Sequence, residues 1–158
     1  MIQIDTREQD NRHIIKYFDN MGIDYFCEKL DFGDYTNPLN EKKVVIDRKK
    51  DLIEWAGNLG KGHQRFKREL ERAKENGYKV IVLIEQKIAY EDLKTWENPK
   101  AITKMRVLKD GTQVARPAMS GLQMWKICEK WKEKYDLSIW FCDKEKSPVV
   151  IATCLKDE

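Results

Sequence analysis

The chain has 158 residues, 41% hydrophobic and 36% charged, a balance that suits one folded domain spanning 1–158 and excludes a disordered chain. Thirty Lys and Arg against 27 Asp and Glu leave a net charge of +3, too small to identify or exclude a polyanionic partner, which answers to local clustering of cations. With no run of 18 apolar residues and no basic leader before an apolar stretch, a membrane span is excluded and a soluble, cytoplasmic protein is expected.

Residues 1–5 alternate apolar and polar and end in the charged cluster Asp5-Thr6-Arg7-Glu8, the pattern of a strand with chemistry at its carboxyl end. Ile14, Tyr17, Phe18 and Met21 mark an amphipathic helix over 11–21 that Gly22 stops, and 24–30 reads as a second strand. Gly33-Asp34-Tyr35 passes through the turn-rich Asn37-Pro38-Leu39-Asn40 into the β-branched run Val44-Val45-Ile46 and Asp47, which together predict a hairpin. A short helix over 51–59 and a Gly60-Lys61-Gly62 break precede a longer helix over 63–76 with Phe66, Leu70 and Ala73 inward.

The most apolar segment, 78–85, fits a central strand covered on both sides. Residues 97–119 contain Pro99, Pro117 and an Asp110-Gly111 step, a hairpin turn signal. A helix over 120–135 carries Met124, Cys128, Trp131 and Tyr135 on one stripe; a strand over 137–142 and a helix over 148–155 close the chain. Alternating strands and helices predict an α/β sandwich whose sheet is mixed, because the second to fourth strands follow one another as meander-like hairpins. Cys27, Cys128, Cys142 and Cys154 are scattered without a C-x-x-C step, which argues for reduced thiols.

Asp34 opens one hairpin arm, Asp47 closes the other, and Lys49 follows two residues later. Strand alternation puts residues 47 and 49 on one face. Two carboxylates brought together repel unless a cation sits between them, and hard oxygen ligands suit magnesium or manganese. Such an ion, with a nearby ammonium, is the equipment of a phosphodiesterase, with Glu8 and Asp5 as candidates for extra ligands. In a chain this rich in charge the same pattern also describes a hairpin with surface salt bridges.

The neighbouring residues tip that balance. The ordered set Ile4-Asp5-Thr6-Arg7-Glu8, Phe32-Gly33-Asp34-Tyr35, Val45-Ile46-Asp47-Arg48-Lys49 and Gln64-Arg65-Phe66 resembles the nuclease domain of the XPF, Mus and Hef type, a branch of the PD-(D/E)xK superfamily with a restriction-endonuclease-like fold. The likeness extends over nearly the whole chain. It implies Asp34 and Asp47 as metal ligands, Lys49 as the catalytic lysine, Glu8 as a further metal contact, and Arg7 and Arg48 as arginines beside the site that contact DNA. Asp47 stands where the family usually has Glu, and the final acid of the motif falls on either Asp51 or Glu54.

Arg65, Arg68 and Arg72 form a stripe along the helix after the site, suited to a DNA backbone, although Glu69, Glu71 and Glu75 interleave with it and offer ordinary helical ion pairs. The resemblance favours Arg65. It further implies a magnesium-dependent endonuclease for branched DNA, homodimerisation through 120–135 and the closing helix, and, for a stand-alone domain of this size, a phage or mobile-element origin. A catalytically inactive scaffold paired with an active homologue and a restriction-type duplex nuclease are the alternatives.

Overall fold

A computed structural model of the chain describes residues 1–100, 105–115 and 118–157. A six-stranded mixed sheet in the order β2-β1-β3-β4-β5-β8 forms its centre. The strands are β1 (Ile2–Ile4), β2 (Tyr25–Cys27), β3 (Tyr35–Thr36), β4 (Val44–Lys49), β5 (Lys79–Ile84) and β8 (Ser138–Phe141), with β6 (Met105–Val107) and β7 (Gln113–Ala115) paired separately. Among the described residues five helices flank it: α1 (Arg12–Met21), α2 (Leu52–Leu59), α3 (His63–Glu75), α4 (Gly121–Tyr135) and α5 (Ser147–Leu155).

The alternation of β4 and β5 sorts the core into two layers. Val45, Val80, Val82 and Ile84 face a cluster with Leu52, Trp55, Phe66, Leu70, Met124 and Trp131 from α2, α3 and α4. Ile46, Ile81 and Leu83 face the other way, with Ile14 and Phe18 of α1 and Ile151 and Leu155 of α5. Both faces of β5 are therefore buried, as its uninterrupted apolar run predicts.

Helix ends follow local chemistry. Gly22 takes the left-handed backbone (φ 65°) that closes α1, Asp51 caps α2 by accepting from Glu54 N at 2.9 Å, and Ser120 caps α4 in a reciprocal box with Gln123. Gly121 is required by proximity, since a Cβ there would lie 2.1 Å from the Leu93 carbonyl oxygen. The Asp-Gly step turns β6 into β7 with Gly111 at φ 85°; Pro117 lies outside the described residues.

Two expectations are corrected. Strand β2 does not continue into a meander: it pairs in parallel with β1 at the sheet edge, and the hairpin is confined to β3 and β4. Met21 is 60% exposed rather than on the buried stripe of α1. A 3-10 turn at Tyr90–Thr95 buries Leu93 against the α4 layer, where the sequence offers no long period to read.

Strand directions decide where chemistry can gather. Strands β1, β4, β5 and β8 all run the same way and β3 runs against them. The carboxyl ends of β1 and β4 and the amino end of β3 consequently meet at one edge of the sheet.

Candidate active site

At that edge lies a cleft of about 430 Å³ whose lining includes Glu8, Asp34, Asp47, Lys49, Arg65 and Glu69. Gly33 makes the approach of Asp34 feasible. It has φ 73°, and a Cβ on it would come within 2.3 Å of Val45 Cγ2, so only glycine lets the chain pass over β4 and deliver the next side chain. Asp34 is then pinned by its own backbone, its N–H donating to Ile46 O at 2.8 Å and its carbonyl accepting from Asp5 N at 2.8 Å. Its Oδ2 accepts from Arg48 N at 2.8 Å.

Asp47 and Lys49 point to the α2/α3 side of β4, as residues two apart must. Their side chains are 7% and 9% exposed, with Lys49 Nζ 2.8 Å from Asp47 Oδ1. The ammonium also lies 5.2 Å from the centre of the Phe66 ring on α3, so carboxylate and aromatic face together fix it. Burial works against its charge, but Asp47 and Asp34 outweigh that and raise its pKa above the ordinary value. It is an ammonium at neutral pH.

The carboxylates are under opposite pressure. Burial first, then repulsion from Asp47 and Glu8, pushes the Asp34 carboxyl well above its ordinary range. Burial, and then Asp47, likewise raises Glu69 on α3. Two of the three buried polar atoms that lack a hydrogen-bond partner among the described residues, Asp47 Oδ1 and Asn58 Oδ1, belong to residues lining this same cleft. The first of them is ion-paired with Lys49 Nζ at 2.8 Å. Among the described residues no three Asp, Glu, His or Cys side chains close into a cage. Hard oxygens and crowded negative charge nevertheless fit a divalent cation that keeps part of its water shell.

Arg48, expected as a DNA contact, points the opposite way from Lys49 and is buried, its side chain 2% exposed. Its guanidinium takes Glu8 through Nε to Oε2 at 3.0 Å and Nη2 to Oε1 at 3.1 Å, donates to Gln9 O at 2.6 Å, and pairs with Glu85. Glu85 in turn contacts His13 of α1 and Ser147 of α5. Arg48 is thus a clamp inside the fold, and Glu8 reaches the cleft with both oxygens engaged.

Asp5 is also committed, accepting from Leu30 N at 2.8 Å and from Arg7 Nε at 2.9 Å. Arg7 remains 59% exposed and lines the cleft. Asp51 is occupied as a helix cap, whereas Glu54 lines the cleft and accepts from Lys50 N at 2.8 Å. Arg65 is exposed on the cleft rim; Arg68, also exposed, does not line it. Glu69, which the sequence reading placed among ordinary helical ion pairs, accepts from Gly33 N at 2.8 Å and faces Asp47 and Lys49. Its signal was spacing: three residues beyond Phe66, it flanks the buried face of α3.

The family model named ERCC4 domain matches residues 4–149. No curated protein matches the sequence. Among solved structures, XPF from Aeropyrum pernix has the same fold with a TM-score of 0.64 at 14% identity, over 98% of this chain and 64% of that one. The same protein in complex with DNA gives 0.61 at 14% identity, over 96% and 61%. The chain spans less than two thirds of the length of both.

Proposed function

This chain belongs to the ERCC4 domain family, the XPF-type nuclease domains that act on DNA, and from that premise we propose that it is a magnesium- or manganese-dependent endonuclease hydrolysing phosphodiester bonds in branched DNA such as flaps, forks or junctions. The observation that carries the reading is the convergence of Asp34, Asp47 and Lys49, from strand β4 and a glycine-dependent turn, on one cleft. The branched substrate rests on the family resemblance.

Asp34 and Asp47 would hold the ion, with Glu8 beside them under the grip of Arg48. When bound, a divalent ion would acidify a water and offset charge growing on the phosphate. Lys49, kept charged by Asp47 and Asp34, presents a desolvated ammonium where that charge develops, and in a water-poor site this is worth far more than in solution. The exposed arginines Arg7 and Arg65 border the cleft and would contact DNA phosphates near the one attacked.

A homodimer through α4 and α5 would draw on Leu122 of α4 and Val149 of α5, which are 44% and 45% exposed, because the α4 stripe is consumed by the core. Among the described residues no helix is long and apolar enough to cross a membrane.

The test is cleavage of labelled fork, flap, Holliday-junction and linear duplex DNA with and without magnesium. Asp47→Asn and Lys49→Ala should each abolish metal-dependent cutting while leaving the melting curve folded and cooperative. Binding without cutting by the wild-type protein would favour the inactive scaffold, and retained cutting by either variant would refute the assigned roles.

A further inference from the structure

Arg7 lines the cleft and also lines a second groove of about 480 Å³, whose wall includes Lys29, Asp31, Phe32 and Arg72. This groove lies between the loop that joins β2 to β3 and the carboxyl-terminal half of α3. Three cations line it against one acid, Asp31. Arg7 is matched by the buried Asp5, so the surplus charge belongs to Lys29 and Arg72. Both are exposed, and among the described residues neither has a carboxylate within ion-pair distance. Arg72 acts on Glu69 only over a longer range, and against Asp31 alone the groove stays positive.

The two arginines are held in place by the loop they flank. Arg7 Nη2 donates to Leu30 O at 2.9 Å, and Arg72 Nη2 donates to Asp31 O at 3.2 Å. A bond to a backbone carbonyl fixes a guanidinium without cancelling its charge. Arg7 Nη1 and Arg72 Nε and Nη1 have no protein acceptor among the described residues, so each fork keeps donors for a phosphate. Heads already ordered in the free protein lose less freedom on binding than mobile ones.

We infer that this groove is a second DNA-backbone site, in which Lys29 and Arg72 hold phosphates of the strand that leaves the cleft past Arg7. The inference rests on the nuclease reading above and deepens it by giving one arm of the substrate a path across the β2 to β3 loop. Arg7, shared by the two cavities, makes them one continuous surface.

The test uses Asp47→Asn protein and fork DNA, with binding followed by fluorescence anisotropy across a salt series. Lys29→Gln and Arg72→Gln should each reduce the slope of log affinity against log salt by about 1, the mark of one lost phosphate contact. Lys29→Gln breaks no hydrogen bond, so it keeps the test readable if Arg72→Gln fails to fold. Forks with each arm shortened in turn then separate a DNA contact from a distorted loop. Shortening one particular arm should erase the difference between the variants and their parent, while shortening the others should preserve it.

An unchanged slope in Lys29→Gln would overturn the inference, as would a loss of affinity that is the same whichever arm is cut back. If the Asp47→Asn protein binds no fork DNA and the wild-type protein cuts none, the nuclease reading falls together with the groove. If DNA is bound or cut and the slopes do not move, only the groove is lost.

Discussion

Arg48 and Glu8 meet through two nearly parallel hydrogen bonds, Nε to Oε2 at 3.0 Å and Nη2 to Oε1 at 3.1 Å, with side chains 2% and 8% exposed. A guanidinium so enclosed is unable to reach a phosphate, and its third partner, Glu85, lies on the side of the sheet covered by α1 and α5. Removing the cation from two buried acids leaves both uncompensated. Arg48→Ala should therefore lose about 3–5 kcal/mol of stability, read from urea unfolding. Arg48→Lys should restore little of it, because an ammonium does not span two carboxylates as a planar fork does. Unchanged stability combined with weaker DNA binding would return Arg48 to the role of a DNA contact.

Much of the site was legible because its signals are local. Gly33-Asp34-Tyr35 announces a turn that needs a left-handed residue, and the two-residue step from Asp47 to Lys49 needs only strand geometry to place both on one face. The same alternation puts Arg48 on the opposite face, a consequence that the family motif obscured by grouping the three residues. What depended on pairing over distance was not legible. Tyr25–Cys27 carries no mark of whether it joins β1 or β3, and Glu69 belongs to the site only because α3 packs so that its carboxylate meets Gly33 N.

The Gly33 turn also makes a quantitative prediction. Alanine there faces both a φ of 73° and a Cβ placed 2.3 Å from Val45 Cγ2, so a loss of roughly 2–5 kcal/mol is expected from backbone strain and overpacking together. Pairing Gly33→Ala with Val45→Ala removes the collision and leaves the strain. The double mutant should be more stable than the sum of the two single losses by at least about 1 kcal/mol, measured by urea unfolding; strict additivity would show that the contact with Val45 does not set the requirement for glycine.

Asp34 should destabilise the metal-free protein that carries it. Burial, then Asp47 and Glu8, pushes its carboxyl well above the ordinary value of 3.8, so the native state keeps the proton to higher pH than the unfolded chain does. Stability is then lost as pH rises from 3.8 through the native titration, because over that window the native state binds more protons than the unfolded one. Asp34→Asn preserves an oxygen able to accept from Arg48 N. In the presence of a chelator this variant should have a higher urea midpoint than wild type at pH 7.5, with a shallower decline between pH 5 and 7.5. Magnesium should then raise the wild-type midpoint by mass action and the variant's much less. A lower midpoint for Asp34→Asn in chelator would show that the carboxylate is not repelled by its neighbours.

Arg65 and Arg68 sit three residues apart on α3, both exposed, yet only Arg65 lines the cleft. If backbone phosphates run across that rim, the two arginines are unequal. In an Asp47→Asn background, which should hold DNA without cutting it, Arg65→Ala should weaken binding at every salt concentration and reduce the slope of log affinity against log salt by about 1, the signature of one lost phosphate contact. Arg68→Ala should leave the slope nearly unchanged. Fluorescence anisotropy on a fork substrate between roughly 50 and 200 mM salt spans a range where such contacts are readily resolved. Equal effects from the two variants would place the DNA along the exposed length of α3 instead of across the cleft mouth, and no effect from either would remove α3 from the interface.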